Sequence, residues 1–151
     1  MTYFNTVDEI LDFAIKGEET ANAFYRRLAD QAALPWMSDL FLDFAKEELG
    51  HKARLQAVKL GGRLKPAAEK VQDLKIAEYT ADVDESSVTN FQDALVLAMK
   101  KEKKAFKLYT DLAEATDNAD LRQTFLALAQ EEAKHKLRIE IAYDEEVLKD
   151  N

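Results

Sequence analysis

The sequence contains two copies of one segment. Residues 6–60 align with residues 90–144 without a gap, at an offset of 84, and 16 of the 55 aligned positions are identical. Composition alone would give roughly four identities. The only two histidines, His51 and His135, occupy the same aligned position, and each ends a Glu-x-x-His tetrad. The duplication predicts two helical hairpins related by a pseudo-twofold axis.

Size and composition indicate one domain, residues 1–151, built from helices. Gly occupies four positions and Pro two, whereas hydrophobic residues make up 47% and charged residues 33%. This balance favours long helices over a turn-rich β protein. The net charge of −8 would repel nucleic acid and an anionic membrane, so we expect neither as a partner.

The chain has no cysteine, which excludes disulfides and thiolate metal sites. Its first residues lack the basic and apolar regions of a signal peptide, and no run approaches the roughly 18 apolar residues of a membrane helix. We therefore expect a cytoplasmic location.

Four amphipathic helices are predicted from apolar residues that recur at spacings of three and four. Thr6 and Glu9 form a Thr-x-x-Glu capping box at the start of the first helix. Pro35 suits the first turn of the second helix, and Gly61-Gly62 suits its end. The predicted helices are Thr6 to about Ala33, Pro35 to about Leu60, Asn90 to Thr116, and Asn118 to Lys149.

The two hairpins, residues 6–60 and 90–149, are joined by residues 61–89. This connection is too long for a tight turn, but at about 3.3 Å per residue it can run the length of a bundle. The sequence thus predicts an all-α four-helix bundle with one long crossover between helices two and three, which is the ferritin-like topology. A short helix within Pro66 to Tyr79 is a further prediction.

Charged residues interrupt the apolar face of each predicted helix. The i,i+3 spacing of a Glu-x-x-His tetrad puts both side chains on one face, and a bundle can add one glutamate from each of two further helices. Each metal would take one terminal glutamate and one histidine, while Glu48 and Glu132 bridge the pair. The candidate ligands are Glu18, Glu48, His51, Glu102, Glu132 and His135.

Oxygen-rich ligation with one imidazole per metal is typical of iron or manganese rather than structural zinc. Four carboxylates also neutralise two divalent ions. We therefore expect two iron ions, with manganese or a mixed pair as alternatives. A vestigial or purely structural cluster is the competing interpretation.

Several other residues recur or cluster near these positions. Glu47 and Glu131 could each accept the remaining imidazole N–H of the opposite half's histidine, or belong to a solvated helix face. Tyr25 and Tyr109 are interpreted as core tyrosines with bonded hydroxyls, or as groups with a redox or proton role near the metals. Trp36 is interpreted as a packing residue. The lysine run between residues 100 and 107 is interpreted as a solvated face, or as a docking surface for an acidic electron donor.

The pattern resembles the rubrerythrin-like branch of the ferritin-like superfamily across nearly the whole chain. The resemblance implies a non-haem di-iron centre, a dimeric bundle, and oxidase or peroxide-reductase chemistry. It is carried by Ala14-Ile-Lys-Gly-Glu18-Glu-Thr-Ala-Asn-Ala-Phe-Tyr25, Phe44-Ala-Lys-Glu-Glu48-Leu-Gly-His51, Ala98-Met-Lys-Lys-Glu102-Lys-Lys-Ala-Phe-Lys-Leu-Tyr109 and Leu128-Ala-Gln-Glu-Glu132-Ala-Lys-His135.

The chain departs from the family pattern in three places. Rubrerythrins proper carry an extra carboxylate one turn after the third-helix ligand, and Ala105 stands there. A rubredoxin domain with Cys-x-x-Cys pairs is absent, so electrons are expected from a separate protein such as a rubredoxin. The haem-binding Met of the similar bacterioferritins is Leu49, so no haem is expected. The sequence ends too soon after helix four for the short fifth helix of the ferritin cages, so a homodimer is expected rather than a storage shell.

These observations predict a non-haem di-iron oxidoreductase that oxidises Fe(II) or reduces peroxide or oxygen at the four-Glu, two-His centre. The alternative is a protein that binds or sequesters iron or manganese without catalytic turnover. A structural bundle with a vestigial site is the third interpretation.

Overall fold

The computed structural model describes residues 6–61, 79 and 90–149. These residues form four α-helices and no strand, which confirms the predicted all-α bundle. Helix boundaries lie within one or two residues of those predicted. The predicted short helix within 66–79 lies outside the described residues, except for Tyr79. The helices are α1 (Val7–Gln31), α2 (Pro35–Gly61), α3 (Phe91–Ala115) and α4 (Ala119–Lys149).

Side chains just before three of the helices fix where those helices begin. The Oγ1 atom of Thr6 accepts a hydrogen bond from the backbone N–H of Glu9 at 3.1 Å, as predicted for the cap of α1. At the aligned position, Oδ1 of Asn90 accepts from the N–H of Asp93 at 2.8 Å. Asn118 caps α4 in the same way. Each cap satisfies an amide that has no partner inside its helix.

The two helices of the first hairpin are antiparallel. Glu19 on α1 pairs with Lys52 on α2 at 3.3 Å. Asp12, seven residues earlier on α1, pairs with Lys59, seven residues later on α2. As the residue number decreases along α1, the number of its partner on α2 increases. The two helices therefore run in opposite directions, as expected for helices joined by a short loop.

Contacts between the hairpins show that α1 is also antiparallel to α3. The hydroxyl of Tyr109 contacts Glu18, whereas the hydroxyl of Tyr25 contacts Glu102. Because α1 runs opposite to both α2 and α3, helices α2 and α3 run in the same direction. The chain between Gly61 and Asn90 therefore joins opposite ends of the bundle, which is the single long crossover predicted.

The apolar core is divided into two clusters by a layer of charged residues. One cluster contains Leu11 and Leu55, and the other contains Tyr25 and Phe41. Along α1, Glu18 lies between the residues of the two clusters, and the other helices repeat this order. The clusters hold the helices together on both sides of the charged layer, where burial of apolar surface supplies the stabilisation.

Trp36 does not pack as the sequence suggested. Its side chain is 43% exposed, whereas Met37, the next residue of α2, is fully buried. Consecutive helical residues point about 100° apart, and in this first turn the methionine faces the core. The prediction for Trp36 was therefore wrong.

No helix among the described residues is both long enough and apolar enough to cross a membrane.

Candidate metal centre

The six candidate ligands meet in the charged layer at the centre of the bundle, each supplied by one of its four helices. Their exposed fractions are all 3% or less, and they are the only charged side chains buried in the described parts of the chain. Burying charged groups is costly unless they are paired or bind a metal. The layer consists of Glu18, Glu48, His51, Glu102, Glu132 and His135.

The layer divides into two groups, each of which could hold a metal ion. Within each group, one ligand atom per residue lies within 4.8 Å of the others. Glu48 and Glu132 belong to both groups. The first group adds Glu18 and His51, and the second adds Glu102 and His135. Two positions thus share a pair of carboxylates, and each has one further carboxylate and one imidazole of its own.

Every one of the six residues presents a buried polar atom that makes no hydrogen bond of acceptable geometry. Their close neighbours include other atoms of the same set, such as Nδ1 of His51 and Oε1 of Glu132 at 2.8 Å. A buried acceptor left in this state costs about 1–3 kcal/mol, so six in one layer need an explanation. Lone pairs of carboxylate oxygen and imidazole nitrogen that converge in a buried layer are what hard or borderline divalent cations bind. The donor set therefore fits two metal ions. The atoms are Glu18 Oε2, Glu48 Oε1, His51 Nδ1, Glu102 Oε2, Glu132 Oε1 and His135 Nδ1.

Two buried tyrosines donate hydrogen bonds to Glu18 and Glu102, the glutamates that each belong to only one of the two groups. The hydroxyl of Tyr109 donates to Oε1 of Glu18, and the hydroxyl of Tyr25 donates to Oε1 of Glu102. In each carboxylate the other oxygen, Oε2, is the atom without a partner. Both hydroxyls are bonded, as interpreted from the sequence, and their partners are candidate ligands on the opposite hairpin.

The outer nitrogens of the two imidazoles face carboxylates of the opposite hairpin. Nε2 of His51 lies 2.8 Å from Oε2 of Glu131, and Nε2 of His135 contacts Oε2 of Glu47. The side chains of Glu131 and Glu47 are 43% and 51% exposed, so these contacts lead from the buried layer to the surface. A carboxylate that accepts an Nε2–H orients the ring and leaves Nδ1 directed inward.

The surroundings of the two histidines differ. Glu131 also accepts a hydrogen bond from Nη1 of Arg54 at 2.9 Å, whereas Arg138, the aligned arginine, is exposed. Phe44 stacks on His135 with 4.1 Å between ring centres, and the residue aligned with Phe44 is Leu128. No role was predicted for Arg54, although its recurrence as Arg138 was an available signal.

The sequence profile of the rubrerythrin family matches residues 9–139 and, separately, residues 93–151. The chain belongs to the rubrerythrin family. The first match covers most of the chain and all six residues of the charged layer. The second match covers the α3–α4 hairpin.

Solved structures show that this rubrerythrin-family chain has the ferritin-like fold. A protein from Thermotoga maritima, described as a candidate ferritin-like diiron-carboxylate protein, superimposes with a TM-score of 0.78 at 22% identity, covering 97% of this chain and 99% of its own. A hypothetical protein from Pyrococcus furiosus has a TM-score of 0.73 at 22% identity, covering 92% and 89%. A comparison with curated proteins found no match.

In this member of the rubrerythrin family, burial and mutual repulsion raise the pKa of Glu48 and Glu132, the two glutamates that belong to both groups. Burial, together with the charge of Glu18, raises the pKa of Glu48 well above its usual 4.5. Burial raises the pKa of Glu132 in the same direction, and the carboxylates of Glu102 and Glu48 add to it. Protons therefore occupy part of the layer when it holds no cation.

The pKa of His135 is raised, which favours the protonated form of its imidazole. Burial alone would lower the pKa of His135, but Glu102 and Glu48, with oxygens 3.6 and 3.3 Å from Nδ1, outweigh it and raise that pKa to about 11. A cation bound between these groups would have to displace this proton, because a metal requires the neutral imidazole.

The tyrosine hydroxyls keep their protons. Burial, and then the charge of Glu102, raises the pKa of Tyr25 well above 10; burial and Glu18 do the same for Tyr109. Both hydroxyls therefore act as hydrogen-bond donors to carboxylates at neutral pH.

Proposed function

We propose that the charged layer binds two metal ions. Glu18 and His51 would hold one ion, Glu102 and His135 would hold the other, and Glu48 and Glu132 would be shared by both. The observation that supports this most directly is the buried atom on each of the six residues that makes no hydrogen bond of acceptable geometry. The ligand types favour iron, with manganese as the alternative, and four carboxylates neutralise two divalent ions.

We further propose that the protein is a di-iron oxidoreductase that oxidises Fe(II) or reduces peroxide or oxygen. Two ferrous ions held in the charged layer would supply the two electrons that, together with two protons, convert one hydrogen peroxide into two waters. The protein buries the charged layer and fixes the orientation of the six candidate ligands before a metal binds. Tyr25 and Tyr109 hold the terminal carboxylates, and Glu47 and Glu131 orient the imidazoles, so little rearrangement is needed when cations bind.

Electrons for repeated turnover are proposed to come from a separate protein such as a rubredoxin. The 151 residues contain no cysteine, so none of them forms a thiolate electron-transfer site. We propose a cytoplasmic location.

A homodimer is also proposed, and apolar side chains on the outer face of α4 support it. Leu126, Leu137 and Ile141 are 38%, 59% and 53% exposed, and exposed apolar patches mark interaction surfaces. Light scattering of the purified protein would show twice the chain mass, and a monomer would contradict this proposal.

A second candidate function is metal binding without turnover. It is favoured by Ala105, which stands where rubrerythrins proper carry an additional carboxylate and leaves only four carboxylates in the layer. The same six residues would then sequester or deliver iron or manganese.

Loading with Fe(II) under anaerobic conditions, followed by peroxide and an external reductant, separates the two functions. An oxidoreductase consumes many peroxides per chain. The near-ultraviolet absorbance of ferric iron is lost on each reduction and returns when peroxide oxidises the iron again. A binding protein consumes at most about one. Glu132→Ala should abolish turnover, whereas Glu145→Ala, an exposed glutamate of the same helix, should not. Turnover that survives Glu132→Ala would contradict the proposal.

A further inference from the structure

A cavity of about 350 Å³ opens between α1 and α3 and reaches the charged layer. Its lining includes Glu18, Glu48, Glu102 and Glu132 but neither histidine. The cavity therefore approaches the proposed metal positions from the carboxylate side. A small molecule could reach the metals there without displacing either imidazole.

This cavity is larger than dioxygen or peroxide requires. One water takes up roughly 30 Å³ of liquid volume, and pockets for organic ligands start at about 300 Å³. The cavity exists because small residues form part of its wall, namely Gly17, Ala21 and Ala105. Ala21 and Ala105 are aligned positions of the two copies, so the opening lies where the hairpins face each other.

The deeper wall of the cavity is mostly apolar. Phe24 and Leu108 line it and are 6% and 4% exposed, and Ala14 is 2% exposed. The hydroxyls of Tyr25 and Tyr109 are both occupied by carboxylates. An occupant of this region gains most by burying hydrocarbon.

The outer part of the cavity is cationic. Lys16 is exposed, and Lys101 and Lys104 are half-buried. Nζ of Lys101 lies 5.1 Å from the centre of the Phe24 ring. The lysine run of α3 is therefore only partly a solvated face, because two of its members line the cavity.

The charge of the lining depends on the metals. The four glutamates of the layer are the only acidic residues among the described residues that line the cavity. Two bound divalent ions would neutralise them, leaving the positive charge of Lys16 and Lys104 at the cavity. In a chain whose net charge is −8, this is a local preference for an anion.

We infer that the metal-loaded protein binds an amphipathic monocarboxylate in this cavity, with the carboxylate at Lys16 and Lys104 and the hydrocarbon between Phe24 and Leu108, directed toward the metals. The inference rests on the proposed function, because without the two divalent ions the ionised carboxylates on the floor of the cavity would repel a monocarboxylate. It assigns the site a class of organic ligand in addition to peroxide or oxygen.

The probe for this site is octanoate, titrated calorimetrically into the Mn(II)-loaded protein. One octanoate per chain is expected. 1-Octanol, which has the same hydrocarbon without the charge, should bind at least about tenfold more weakly, because it lacks a charge-assisted hydrogen bond. Lys104→Met should cause a similar loss. Lys103→Met, which removes an exposed neighbouring lysine outside this cavity, should have no effect.

A second pair of variants tests the cavity without removing a charge. An added Cβ would meet no atom within 4 Å at either Gly17 or Gly50, but only Gly17 lines the cavity. Gly17→Leu should therefore block octanoate while the two metals remain bound. Gly50→Leu, also in the interior of a helix, should bind octanoate as the parent does.

Metal content, measured in each sample, separates failure of this inference from failure of the proposed function. A chain that binds no metal contradicts the proposed function. Two metals without octanoate binding overturn the inference alone. It is also overturned by equal binding of octanol, by unchanged binding in Lys104→Met or Gly17→Leu, or by equally tight binding to the metal-free protein.

Discussion

Tyr109 on α3 donates its hydroxyl hydrogen bond to Glu18 on α1, a residue 91 positions earlier in the chain. The bond occupies Oε1 of the carboxylate and leaves Oε2 without a partner. Tyr25 and Glu102 repeat the relationship in the opposite direction. Each hairpin thus holds a candidate ligand of the other, so the duplicated sequence yields one shared site rather than two separate ones.

Replacing Tyr109 with Phe removes this bond and little volume. We expect the metal-free protein to lose about 1–3 kcal/mol of unfolding free energy, because a buried carboxylate oxygen loses its donor. Urea unfolding followed by circular dichroism measures the change. Tyr143→Phe, at a half-buried tyrosine beside the core, is the control. Equal losses of unfolding free energy in both variants would show that the hydrogen bond to Glu18 does not stabilise the fold specifically.

Removing either carboxylate that faces an imidazole should weaken metal binding. Glu131→Ala and Glu47→Ala leave the Nε2–H of His51 or His135 without its acceptor. Loss of such partners typically costs about 10–100-fold in metal affinity. Competition with a fluorescent chelator measures it. Glu145→Ala should retain the parent affinity, and unchanged affinity in both test variants would show that these contacts do not orient the rings.

The two metal positions should respond differently to loss of an arginine. Arg54 contacts Glu131, so Arg54→Met should loosen the carboxylate that orients His51. A half-exposed pair is worth little, and we expect up to about a fivefold weakening of one of the two binding steps. Arg138→Met, at the aligned position, should leave both steps unchanged. The same effect in both variants would contradict the difference between the positions.

The stability of the metal-free protein should fall as pH rises. The pKa values of Glu48 and Glu132 are raised above 4.5, and that of His135 is raised from 6.5 to about 11. At a pH between its unfolded and folded pKa values, each group is more fully protonated in the folded state than in the unfolded state. The contribution of that group to the free energy of unfolding is therefore lost as the pH rises toward the folded pKa.

Urea unfolding between pH 5 and pH 9 checks this, with Mn(II)-loaded protein as the comparison. The metal-free midpoint should decrease across the range. The loaded protein should not show this decrease, because the cations replace the protons. A metal-free midpoint that rises with pH would mean that the layer does not hold these protons.

Much of the fold follows from local signals. The caps at Thr6 and Asn90 and the apolar spacing of the helices depend on residues a few positions apart, so the sequence predicted the helix boundaries closely. The six residues of the layer were selected because charged side chains on an apolar face have few structural reasons to be there. Their recurrence at one offset made chance alignment a poor explanation.

Other features depend on distances between helices, which the sequence does not specify. Lys103 and Lys104 are adjacent residues of the same type, but only Lys104 lines the cavity of α1 and α3. Tyr79 lies in a connection without periodicity, yet it is 6% exposed and donates a hydrogen bond to Asp111 at 2.9 Å. The salt bridge of Arg54 with Glu131 likewise joins residues from different hairpins.

Anomalous diffraction at the iron edge, from crystals loaded with Fe(II) under anaerobic conditions, tests the central claim most directly. Two peaks per chain are predicted in the buried layer, one beside Nδ1 of His51 and one beside Nδ1 of His135, with Glu48 and Glu132 between them. Iron found only at the protein surface, or no iron in the layer, would contradict a two-metal site built from these six residues.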